Sequence, residues 1–143
     1  LNEASSTRAG GSDVPTLADL DELVEAGVGD GAVPELRWET DADVVPPTTS
    51  RHLYRIAQEA LTNVRKHAPG QPTLVLVRAP RPGEVELVVR NQLSSQETER
   101  GSAKPAGLHH GLAGLAERAR LAGGSLSAQP EGQSFVVRAV LPC

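Results

Sequence analysis

Four residues on one predicted helix carry the most concentrated chemistry in this chain: Glu59, Asn63, Lys66 and His67, within YRIAQEALTNVRKHA over residues 54–68. At about 100° per residue, Leu53, Ile56, Ala57, Ala60, Leu61, Val64 and Ala68 share one broad face, and the four polar residues run along its border. A purely solvated row would be centred opposite the core. A carboxylate, a carboxamide and two cationic or titratable groups at the border can instead form the wall of a pocket. Spacing alone leaves two readings open, a pocket wall and a decorated surface helix.

The elements around that helix decide where such a wall would stand. Residues 1–15 are rich in Ser, Gly, Ala and charge without apolar periodicity, and read as a flexible linker or tail. Residues 16–143 then form one domain. Thr16 followed by Asp19 is a capped start, and Leu17, Leu20, Leu23 and Val24 mark a short helix ending before Gly27. Leu36, Trp38 and Thr40 alternate with Arg37 and Glu39 as a half-buried strand, which Pro46 and Pro47 break. Ser50 is expected to cap the long helix, and Ala68-Pro69-Gly70 to stop it.

Residues 73–79 and 84–91 read as a hairpin around Pro80-Arg81-Pro82-Gly83, and Val85 to Val89 is apolar enough for a central strand. Residues 92–108 lack periodicity and read as a long loop of the functional or mobile kind. Leu112, Leu115, Ala116, Ala119 and Leu121 outline a helix ended by Gly123-Gly124, and strands over 125–129 and 135–141 flank Pro130-Glu131-Gly132. This order predicts an α+β two-layer sandwich, a mixed and mostly antiparallel sheet covered by helices on one face.

Composition excludes several classes. With 143 residues, 38% of them apolar, the chain can bury roughly two-thirds of the surface its unfolded form exposes. A net charge of −4 and 2% aromatics offer neither a phosphate-binding surface nor a stacking platform, so no nucleic acid partner is expected. No run approaches the roughly 18 apolar residues that span a bilayer, so no membrane contact by this chain is expected. Cys143 is the single cysteine, which rules out an internal disulfide and a Cys-rich metal site and suits a reducing cytoplasm. The chain contains no Met and starts at Leu1, and it reads as a fragment of a longer protein.

Three blocks resemble the ATP-binding catalytic domain of sensor histidine kinases, in the GHKL superfamily shared with gyrase and a chaperone ATPase. QEALTNVRKHA, residues 58–68, resembles the N box. GLHHGLAGLAERARLAGGSL, residues 107–126, resembles the lid and second glycine box, and PEGQSFVVRAVLP, residues 130–142, the closing strand pair. Within the superfamily the chain is most similar to the subfamily that answers to response regulators with helix-turn-helix output domains, often actinobacterial. Pro15-Thr16 and the helix after it also suit that subfamily.

The resemblance implies the Bergerat ATPase fold and a set of roles. Asn63 would ligate Mg²⁺ through its side-chain oxygen, since magnesium takes few protein ligands and prefers water and phosphate. Glu59 would orient a metal-bound water or act as an acid–base group near the γ-phosphate of ATP. Lys66 and His67 would meet phosphate oxygens, or offset the helix dipole. Gly107, Gly111 and Gly114 permit close backbone approach, and the N–H groups from Gly111 through Leu112 and Gly114 to Leu115 would open a helix as a triphosphate cradle. His110 would contact phosphate; the pair His109 and His110 also reads as polar lid surface, and it lacks partners for zinc.

The chain departs from the family in two places. Most of the superfamily has an Asp after the second hairpin strand that accepts a hydrogen bond from the adenine amino group; here Asn91 stands there, no box glycines follow, and Ser134-Phe135 occupies the place of small Gly or Thr residues. A neutral acceptor weakens that bond by roughly 1 kcal/mol. None of His52, His67, His109 or His110 is followed by Asp or Glu, so the phosphoacceptor is expected on a separate dimerisation helix outside this chain.

The implied activity is transfer of the ATP γ-phosphoryl group to a histidine. The implied partners are the phosphoacceptor helices of a homodimeric parent and a cognate response regulator, and the implied place is the cytoplasm, with the parent free or anchored in the plasma membrane. Two alternatives remain open: a degenerate nucleotide-sensing or docking module, and an anti-sigma-factor-type protein-serine kinase.

Overall fold

The computed structural model describes residues 15–26, 34–67, 70–93 and 106–143; residues 94–105 of the loop expected over 92–108, and residues 1–14 of the tail expected over 1–15, lie outside them. Thr16 begins with a reciprocal cap. Its hydroxyl accepts from the Ala18 N–H at 3.4 Å, and the Asp19 carboxylate accepts from the Thr16 N–H at 2.9 Å. A 3-10 turn, Leu17–Asp19, leads into helix α1, Leu20–Glu25. Leu17, Leu20 and Val24 on this short stretch are buried in the main core. Strand β1, Glu35–Glu39, follows, with Leu36 and Trp38 packed against the core and Glu35, Arg37 and Glu39 exposed.

Helix α2, Pro47–His67, is 21 residues long. It starts three residues before Ser50, which corrects the expectation that Ser50 is its cap. Proline has the fixed φ a first helical turn needs and no N–H to leave unpaired. The Ser50 N–H already bonds the Pro46 carbonyl at 2.8 Å. Its hydroxyl is thereby released for another use: it accepts from the Leu17 N–H at 2.9 Å in a buried contact across 33 residues. The N-terminal segment is thus pinned to the first turn of α2.

Tyr54, on the same part of α2, is 8% exposed. Its phenol is held above the ordinary tyrosine range, first by burial and then by the charges of Asp19 and Glu22. A raised folded-state value means that the stability it contributes is intact below the ordinary pKa near 10 and drains away as pH rises through the folded value. Tyr54→Phe is therefore expected to flatten the loss of stability above about pH 10. Urea midpoints across pH 8–11 check this; equal alkaline losses in both proteins would contradict it.

The sheet is completed by β2, Thr73–Arg78, β3, Glu84–Gln92, β4, Ser125–Glu131, and β5, Ser134–Pro142. Its order is β1-β2-β3-β5-β4, with β1 parallel to β2 and every other pair antiparallel. Helix α3, Ala106–Leu121, separates β3 from β4. Val75, Val77, Val85, Leu87, Val89, Val137, Ala139 and Leu141 form one core with Leu53, Ile56 and Leu61 of α2 and Leu115 of α3. The helices therefore cover one face, as the sequence predicts. β4 runs through Pro130 to Glu131 instead of stopping at 129, because an edge strand tolerates the missing N–H.

The uncovered face holds an acid in the middle of an apolar-looking strand. Glu86 is 4% exposed, yet it hydrogen-bonds Arg78 on β2, and its second oxygen lies 3.2 Å from Arg138 Nε on β5. Arg138 also reaches Glu131 at 3.5 Å. The hydrogen bond to Glu86, and then its charge, hold the Arg78 guanidinium above its ordinary range. Both arginines remain partly exposed, at 42% and 31%, so each can recover water if Glu86 is lost. Glu86→Gln is accordingly expected to lower stability by about 2 kcal/mol, less than for a fully buried pair. Urea unfolding measures it, and no change would mean that the carboxylate charge is not used.

α3 ends at two glycines. The Gly123 N–H bonds Arg120 and the Gly124 N–H bonds Ala119, at 3.0 and 2.9 Å, with Gly123 at φ +87°. This is the paired termination that a left-handed residue permits.

Candidate functional site

Connectivity decides which side chains meet. The Thr49 hydroxyl donates to the Pro142 carbonyl at 3.2 Å, which sets the start of α2 beside the end of β5. The other end of α2 therefore lies toward the start of β5, where Phe135 pairs with Asn91, and Asn91 with Thr73. α3 terminates against Val140 and Leu141, so its first turns point the same way. Asn63, Asn91, Thr73, Phe135 and the opening of α3 thus share one end of the molecule.

The polar row on α2 divides there. Asn63 is 8% exposed and lies on the stripe of Ile56 and Ala60, inside the core face. Its Nδ2 is buried with no hydrogen-bond partner among the described residues. An unmet buried polar group costs about 1–3 kcal/mol, so a helix keeps one only where something else meets it. A half-turn of the carboxamide puts its oxygen in the same place, and that oxygen is a hard donor of the kind magnesium accepts. Asn63 therefore fits either a hydrogen-bonding ligand or a hard cation. Glu59, one turn earlier, and Lys66, one turn later, are exposed. His67 closes the helix, and its side chain lies outside the described residues.

Among the described residues no three His, Cys, Asp or Glu side chains converge on a metal position. A cation at Asn63 would draw its remaining oxygens from ligand and water.

Asn91 is 6% exposed on the helix-facing side of β3. Its Nδ2 donates to the Gln92 carbonyl at 3.2 Å, which leaves Oδ1 as the acceptor. Its neighbours across the strands are Thr73 and Phe135, both buried. The Thr73 hydroxyl donates to the Gln71 carbonyl at 3.1 Å. Sequence reading passes over Thr73, which looks like the first residue of an ordinary strand; only the register sets it beside Asn91.

α3 opens at Ala106, five residues earlier than the expected start at Gly111. The N–H groups expected to form a cradle from Gly111 to Leu115 lie inside the helix, and the unpaired first N–H groups belong to residues 106–109. The apolar pattern that dates the helix from Leu112 marks where burial begins, not where helical backbone begins. Leu112 and Leu115 are core residues, at 7% and 2% exposure. Gly107, His110 and Gly111 are helical in backbone, and their side-chain surroundings lie outside the described residues. Gly114 is exposed, with nothing within 4 Å of where a Cβ would stand, so packing does not require a glycine there.

No family model and no curated protein matches the chain by sequence. Its fold does match solved structures. A blue-light activated histidine kinase of Erythrobacter litoralis superposes with a TM-score of 0.63 at 18% identity, over 90% of this chain and 42% of that one. The mycobacterial sensor histidine kinase MprB gives 0.55 at 21% identity, over 86% of this chain and 93% of that one. The histidine kinase domain of the Escherichia coli osmosensor EnvZ gives 0.58 at 16%, over 92% and 91%. The chain spans less than half of the Erythrobacter protein but nearly all of the other two. Identities this low establish architecture: the chain has the fold of a histidine kinase domain.

Proposed function

We propose that residues 16–143 are an ATP-binding catalytic domain that transfers the γ-phosphoryl group of Mg-ATP to a histidine on a separate dimerisation helix. The observation that carries this reading is Asn63, a buried carboxamide with an unmet polar atom at the end shared by Asn91 and the opening of α3. When bound, Mg-ATP supplies the phosphoryl group and the charge-neutralising metal. Asn63 holds the metal through its oxygen. Glu59, exposed one turn before it, orients water or accepts a proton from the incoming imidazole. Lys66 and His67 face the phosphates, as do the unpaired first N–H groups of α3, Gly107 among them; Asn91 faces the base.

The resemblance supports a homodimeric parent of the actinobacterial type that supplies the acceptor helices, a response regulator with a helix-turn-helix output domain, and a cytoplasmic domain. Among the described residues no helix is long and apolar enough to cross a membrane.

Calorimetry with ATP, with and without Mg²⁺, tests the reading: binding is expected, and it weakens when the metal is removed. Radiolabel from ATP should pass to a supplied dimerisation domain, and the product should be acid-labile, as phosphohistidine is and phosphoserine is not. An absence of binding at millimolar ATP would remove the proposal. Asn91, a neutral group where a carboxylate is usual, favours a second reading as a nucleotide-sensing module without transfer. Binding without label transfer would select it.

A further inference from the structure

We propose that the outward face of α2 docks on a second copy of this chain, its arginine row against the acidic α1 side of the partner, and the partner's row against its own acids in turn. Asn63 and Asn91 lie on the core side, so this surface is independent of the nucleotide reading.

Arg51, Arg55, Gln58, Thr62 and Arg65 fall within about 80° of arc on α2, opposite Leu53, Ala60 and Val64. Arg55 and Arg65 are exposed and Arg51 is half-buried. No carboxylate stands within that arc. Elsewhere among the described residues Arg37, Arg78, Arg81, Arg120 and Arg138 each find an acid within 4.0 Å. The row does not. Arg51 and Arg65 reach only the hydroxyls of Thr48 and Thr62, each at 3.5 Å, and Arg55 makes no ion pair among the described residues.

Its complement stands one helix away. Residues 15–26 and 40–46 hold Asp19, Asp21, Glu22, Glu25, Asp41 and Asp43 and no base. All but Asp19 are exposed, and those five form no ion pair among the described residues. The bond from the Leu17 N–H to Ser50 sets α1 against the start of α2, and the charges of Asp19 and Glu22 are felt at Tyr54. Val44, beside Asp43, is 64% exposed. An open apolar side chain among carboxylates suits arginines, whose methylene stems pack below a charged head.

Within one molecule the two sets stay apart, because α1 packs at the first turn of α2 and the row runs on to Arg65, about 20 Å further. Both lie on the outer surface of the helix layer. Two copies turned helix layer to helix layer about a twofold axis bring each row to the other's acids, and the contact is made twice. A helix face about 30 Å long buries less than the roughly 800 Å² per partner of a stable complex, so the dissociation constant is expected at roughly 0.1–1 mM.

Sedimentation equilibrium of the whole chain at about 0.5 mM tests this, with reductant to keep the exposed Cys143 from cross-linking. In about 20 mM salt the average mass should rise with concentration above the 15.0 kDa of one copy, and in about 500 mM salt it should return there, as the screening length falls from about 20 Å to about 4 Å. The direction of the salt effect discriminates, because two copies of net charge −4 repel on average and screening alone would favour association. Arg55→Glu with Arg65→Glu should abolish the low-salt rise, as should Glu22→Arg with Glu25→Arg. An equimolar mixture of those two proteins should restore it, since the reversed row then meets reversed acids. Circular dichroism verifies each fold, and the wild-type salt series stands without either variant. A wild-type chain that stays at 15.0 kDa in low salt overturns the inference. Association indifferent to salt or to Arg55→Glu with Arg65→Glu overturns it too, as does a mixture of the two folded variants that remains monomeric.

Discussion

Gly124→Ala lowers the stability of the domain by roughly 3 kcal/mol or more, at the upper end of what overpacking costs. A Cβ at this position would stand 2.0 Å from the Val140 carbonyl oxygen, 2.7 Å from Leu141 Cδ2 and 2.9 Å from Leu141 Cα. Only Cδ2 is the end of a flexible side chain. The other two atoms are backbone of β5, which is bonded on one side to β3 and on the other to β4, so it cannot retreat without opening a ladder. Gly114→Ala is the matched control, with open space and an ordinary helical backbone, and it should be neutral or stabilising by up to about 1 kcal/mol. Urea unfolding of both variants decides the matter. A loss below about 1 kcal/mol in Gly124→Ala would show that β5 yields where the register says it cannot.

Asn63→Ala is expected to move two measurements in opposite directions. Mg-ATP binding should weaken by roughly 30- to 100-fold, the loss expected when one polar contact to a charged group disappears. Stability without nucleotide should hold or rise by about 0.5 kcal/mol, because alanine is the better helix former and the unmet Nδ2 goes with the side chain. A residue kept for folding would give the reverse, with stability falling and any binding loss following from it. Calorimetry and urea midpoints on the same preparation separate the two. Unchanged affinity would take Asn63 out of the site.

Much of this architecture is legible in the sequence because its signals are local. The period of α2, the alternation in β1, the breaker Pro80-Arg81-Pro82-Gly83 and the paired glycines after α3 each act within a few residues, and the elements fall within a few residues of where they point. What is not legible depends on partners far along the chain. Ser50 has the chemistry of a cap, but Pro47 starts the helix first and Leu17 claims the hydroxyl. Glu86 sits within the Val85 to Val89 run that reads as a central strand, and only β2 and β5 bring Arg78 and Arg138 to either side of it. The start of α3 is misread because apolar spacing reports burial, and its first turns run on before any buried leucine. For the candidate site, the sequence points to Asn63 and Asn91 by residue type and passes over Thr73, which only the strand register sets beside Asn91.

The bond between Leu17 and Ser50 has a mechanical meaning. Leu17, near the start of the described chain, is buried and bonded to Ser50 at the end of α2 opposite Asn63. A pull or twist applied at Pro15 meets this anchor before it meets the site. It then acts on a helix of 21 residues, about 30 Å long, whose far part carries Asn63. The domain is held like an oar at its lock, with the working end a helix length from the point where it is gripped.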